Sequence, residues 1–72
     1  MRAKEQCNKI LQECHKLGFE EEIAEGPLKN IIMNVRGVID DRAVTNWIKA
    51  LIVFEFLEWK SPHVYKINRK EN

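Results

Sequence analysis

The chain has 72 residues, 44% of them hydrophobic, with 12 basic and 11 acidic side chains and a formal net charge of +1. Such a composition excludes a disordered chain, and the length suits one small domain with a modest core. No apolar run approaches the roughly 20 residues that a spanning helix needs, because Glu55 interrupts the longest candidate, Leu51-Ile52-Val53-Phe54.

From Ala3 to Leu17, the residues Cys7, Ile10, Leu11, Cys14 and Leu17 keep helical spacing and Gly18 follows as a stop, so helix one is expected over 3–17. Cys7 and Cys14 stand two turns apart on that stripe, roughly 10 Å of rise, too far for a mutual disulfide. They are expected as reduced, buried small hydrophobes. With no second cysteine pair they also make a poor zinc motif, even beside His15, and no metal is expected.

Next comes an acidic link carrying Glu20, Glu21, Glu22 and Glu25, in which Phe19 and Ile23 either pack under the domain or begin another helical turn. Pro27 then opens helix two, expected over 27–36, with Leu28, Ile31, Ile32 and Val35 inward and Gly37 as its end. Val38 and Ile39 can plug the corner before the next helix, and Asp40 or Asp41 can cap it. Helix three is expected over 41–54. Its stripe Val44, Trp47, Ile48 and Leu51 faces the core, and Arg42, Thr45, Asn46 and Lys49 lie on other faces.

Phe56, Leu57, Trp59, Val64, Tyr65 and Ile67 are strand formers around the turn Ser61-Pro62-His63, so a two-stranded hairpin is expected over 56–67, with residues 68–72 frayed. Leu57 and Trp59 share one strand face, which directs Trp59 to the core. Lys60, Lys66, Arg69 and Lys70 occur without an intervening acid, so the protein is expected to offer one basic edge and one acidic edge. The four apolar residues from Leu51 to Phe54 exceed a single helical stripe, and helix one together with Phe54, Phe56 and Trp59 supplies the candidate contacts of a homodimer.

No nucleophile, base and acid are grouped by any motif, and no glycine-rich phosphate loop is present, so neither an enzyme, a cofactor nor a small-molecule ligand is expected. The segment Met1-Arg2-Ala3-Lys4 lacks the apolar core of a signal peptide, which makes a cytoplasmic, non-membrane protein the expectation.

The series Asp40-Asp41-Arg42-Ala43-Val44, Trp47-Ile48, Leu51 and Glu55-Phe56-Leu57 resembles the recognition helix and following strand of winged helix-turn-helix domains, including many small archaeal DNA-binding proteins. The resemblance covers roughly Gly37 to Ile67. It departs from that pattern at Ala43, where threonine is usual, and at Glu55, where glycine is usual, so helix three must end without the easy left-handed residue or run longer. The resemblance implies an α+β, mainly α fold: three helices followed by a two-stranded β-hairpin wing. It also implies double-stranded DNA as partner, bound in a sequence-specific or architectural way by a small transcriptional regulator or chromatin-type protein. Thr45 and Asn46 would approach base edges, and Arg42 and Lys49 would hold phosphates. Lys60, His63, Lys66 and Arg69 would carry the wing's backbone contacts. A second expectation, from the acidic link and the paired Asp40 and Asp41, is a winged-helix protein-interaction module in a replication, transcription or membrane-remodelling assembly. Phosphate would be repelled there.

Overall fold

A computed structural model of the chain describes residues 3–68, so Arg69 and the rest of the tail lie outside the described residues. Its elements run α1 (Ala3–Lys16), β1 (Glu22–Ala24), α2 (Glu25–Arg36), α3 (Asp41–Val53), β2 (Leu57–Ser61) and β3 (Val64–Ile67). The architecture is α+β and mainly helical. Three helices pack against one antiparallel sheet of order β1-β3-β2, rather than leading into a hairpin alone.

The apolar stripes account for the core. Cys7, Ile10, Leu11 and Cys14 from α1 meet Leu28, Ile31 and Ile32 from α2 and Val44, Ile48 and Leu51 from α3, with Ile23, Leu57, Tyr65 and Ile67 closing the layer from the sheet. Leu51 has no exposed surface, and truncating such a residue to alanine costs about 2–5 kcal/mol through lost burial and the cavity left behind. Leu17, expected on the stripe, is exposed because it lies past the last helical turn.

Two helix ends close in the same way. Phe19 N–H donates to the Cys14 carbonyl at 2.9 Å across Gly18, and Phe56 N–H donates to the Leu51 carbonyl at 2.8 Å across Glu55. Each is a six-to-one closure that needs a left-handed residue inside it. Gly18 has φ 99° and Glu55 has φ 67°. Glu55 therefore takes up the glycine's conformation, at a cost glycine avoids, and α3 ends at Val53 without running on. Gly37, φ 68°, ends α2 by donating to the Met33 carbonyl at 2.8 Å.

Several expectations need correction. The acidic link does not start another helical turn: Glu22–Ala24 pairs with β3, placing Glu22 opposite Lys66, Ile23 opposite Tyr65 and Ala24 opposite Val64. Helix two begins at Glu25, because Glu25 N–H is held by the His63 carbonyl at 2.7 Å and Pro27 falls within the first turn. Asp40 occupies the cap position of α3 but makes no side-chain cap hydrogen bond. Val38 packs against the core, whereas Ile39 is 90% exposed and plugs nothing. Asn68, expected to fray, donates its backbone N–H to the Phe56 carbonyl and its side-chain amide to the Glu55 carbonyl.

Candidate nucleic-acid interface

The α2–α3 corner turns within residues 37–40 and presents α3 with its apolar stripe inward. Because Val44, Ile48 and Leu51 are buried, the residues half a turn away must face solvent. Arg42, Thr45, Asn46 and Lys49 are all exposed there, and their spacing of three, four and seven puts them on one strip. Val53, four residues beyond Lys49 and 73% exposed, extends that strip at its C-terminal end. Its spacing from Lys49 assigns it to this face by sequence alone.

Among the described residues, neither Arg42 nor Lys49 is in an ion pair. Of the two acids at the start of α3, Asp41 is approached by the Lys29 ammonium at 3.8 Å, and that lysine also pairs with Glu25 at 3.2 Å. Glu25 first and Asp41 second hold the Lys29 ammonium pKa above its ordinary value.

Beneath α3, Arg36 ties the three helices together. Its guanidinium donates to Gln6 Oε1 at 2.7 Å and lies 4.9 Å above the ring of Trp47. A cation over an indole face is attracted by the ring quadrupole, so Trp47 is half-buried under a charge and is not enclosed by aliphatic groups alone.

The solvent face of the sheet is organised differently. Glu22, Lys66 and Glu58 lie in one cross-strand row, and Lys60 reaches over β3 to hydrogen-bond the Glu22 carboxylate. The groove along this face is lined by Glu20, Glu21, Glu22 and Glu58 against Lys60 and Lys66. Separate acidic and basic edges were expected. Strand β1 brings them together, so the wing lysines sit among carboxylates.

At the hairpin turn, His63 has φ 70° and its Nδ1 donates to Glu25 Oε1 at 2.6 Å. That hydrogen bond, followed by the one from Lys29, holds the Glu25 carboxyl below its ordinary value. Burial, then the nearby Glu25 charge, pushes the Tyr65 phenol up.

Of the three candidate dimer contacts, Phe56 is 6% exposed and belongs to the core, because the closure of α3 folds it under the domain. Phe54 is partly buried against that core. Trp59 reverses the expectation made for its burial. It does share the core face of the sheet with Tyr65, edge-on to it with ring centroids 5.7 Å apart, yet it stays 66% exposed on the edge strand.

Both cysteines are free and buried. Among the described residues no group of three or more His, Cys, Asp or Glu is arranged to hold a metal, and no helix is long and apolar enough to cross a membrane. Compared with family models, curated proteins and solved structures, the chain matches none.

Proposed function

We propose that this chain is a winged-helix DNA-binding domain of a small transcriptional regulator, presenting α3 to the major groove and the β2–β3 hairpin to the flanking backbone. The observation that carries the reading is the strip Arg42, Thr45, Asn46 and Lys49, exposed on the outside of a helix that follows a tight helix–helix corner and, among the described residues, in no ion pair. Arginine and lysine there can displace counterions from phosphates, and asparagine can pair bidentately with an adenine edge. A helix standing out from a small domain by one face is the shape that fits a major groove about 12 Å wide. The element order α1-β1-α2-α3-β2-β3 is compatible with a winged-helix-like arrangement.

A second reading is favoured by the acidic excess on the sheet face, which opposes phosphate, and by the exposed Ile39, Val53 and Trp59: a protein-interaction module in which apolar contacts replace phosphate contacts. Titrating isotope-labelled protein with random duplex at two salt concentrations separates the two. DNA binding through α3 requires chemical-shift changes centred on residues 42–49 that fade steeply as salt rises. Absence of any shift at low salt would refute the DNA reading.

A further inference from the structure

Among the described residues, strand β2 pairs only with β3 and is an edge strand. Phe56, just before it, accepts a backbone hydrogen bond from Asn68, which makes Phe56 and Asn68 a hydrogen-bonded pair continuing the β2–β3 ladder. Because antiparallel ladders alternate, Glu58 also directs its backbone groups to β3, while Leu57 and Trp59 direct theirs to the open edge. Leu57 is only 1% exposed, backbone included, so its part of the edge is covered. The accessible edge is centred on Trp59.

We propose that this edge pairs with the same edge of a second copy of the chain, antiparallel about a two-fold axis at Trp59. Charge selects that register. An axis at Glu58 would set Glu58 against its own copy, and an axis at Lys60 would do the same for Lys60. With the axis at Trp59, each Glu58 stands opposite Lys60 of the other copy, in a non-hydrogen-bonded pair where side chains approach most closely, and Lys60 must exchange its own Glu22 for that Glu58, which weakens the association further. The row Glu22, Lys66, Glu58 then continues into a fourth charge of the correct sign. On the other face of the sheet the two Trp59 rings become cross-strand neighbours, each already edge-on to its own Tyr65.

A lysine and a bulge on an edge strand ordinarily discourage such pairing. Both are present here: the register of β2 shifts between Trp59 and Ser61, making Lys60 the extra residue. The bulge limits the contact to a short stretch around Trp59, while Glu58 answers the lysine. So short an interface falls well under the roughly 1,200 Å² of stable complexes, and the association is weak and concentration-dependent. It stands independently of DNA binding.

Sedimentation equilibrium of the full chain tests this. The weight-average mass should rise from 8.5 kDa towards twice that value as concentration approaches ~1 mM, the range expected of a small interface. Glu58→Lys and Lys60→Glu should each stay monomeric, and an equimolar mixture of the two should associate again, since every facing pair is then opposite in sign. A wild-type chain that remains at 8.5 kDa, or single variants that associate like the wild type, would overturn the proposal. Should either variant lose its helical circular dichroism, amide exchange of the wild-type Trp59 decides. Slowing with concentration supports edge pairing, and a concentration-independent rate refutes it.

Discussion

The outer face of α3 and the outer face of the sheet each display two basic side chains, Arg42 and Lys49 on one, Lys60 and Lys66 on the other, yet their electrostatic situations are opposite. On α3, among the described residues, no carboxylate is paired with either cation. On the sheet, Glu22 holds Lys60, and Lys66 lies in register between Glu22 and Glu58. A cation gains phosphate affinity by releasing the counterions condensed on DNA, and one already engaged by a carboxylate must first give that partner up. Residue type therefore says less about a nucleic-acid surface than the balance of charge around each residue.

The largest effect should come from reversing the free pair. Arg42→Glu combined with Lys49→Glu should weaken duplex binding by more than about 100-fold at ~0.1 M salt and lower the slope of log affinity against log salt by about 2. Fluorescence anisotropy across a salt series reads both quantities, and an unchanged slope would remove α3 from the interface.

Next in size, Asn46→Ala should cost roughly 1–3 kcal/mol on a preferred sequence and little on random duplex, because a base-edge contact is lost while phosphate contacts stay. Equal losses on both DNAs would make Asn46 a positioning contact only. Its exposure means that thermal stability should stay within about 0.5 kcal/mol of wild type.

A smaller change, of opposite sign, is expected on the sheet. Glu22→Gln frees Lys60 and removes a negative charge beside Lys66, so affinity should rise roughly two- to tenfold and the salt slope should steepen by up to about 1. No gain in isothermal titration would show that the hairpin does not approach the backbone.

The smallest effect concerns pH. The folded state holds the Glu25 carboxyl low through His63 and then Lys29, so its contribution to stability is fully present above the ordinary value of 4.5 and is lost as pH falls through the lower folded value. Glu25→Gln should flatten that acid limb of the stability curve, measured by urea unfolding at stepped pH. Identical limbs would show that the hydrogen bonds around Glu25 are exchanged for water without loss.

The three helices were legible because each spends four or more apolar residues on one stripe, and periodicity needs that many to register. Strand β1 spends one, Ile23, flanked by exposed Glu22 and Ala24, and one inward residue has no period. Trp59 illustrates a different limit: alternation assigned its face correctly, but whether a residue on that face is covered depends on tertiary packing. The α3 strip follows from spacing alone. The partners of the wing cations do not, since Glu22 and Lys60, like Glu25 and His63, are 38 residues apart in sequence and meet only when β1 joins the sheet.

The two thiols carry a further consequence. Cys7 and Cys14 have no exposed surface, and burial first, then the neighbouring Glu13, pushes the Cys14 thiol up to about 11. An alkylating reagent needs both access and thiolate, which the closed domain withholds at neutral pH. Alkylation can then proceed only through opening of the contact between α1 and the remaining helices, so its rate under native conditions becomes a clock for that motion. The chain thus contains its own reporter of transient unfolding, and a cysteine introduced anywhere on the surface could be labelled while these two stay silent.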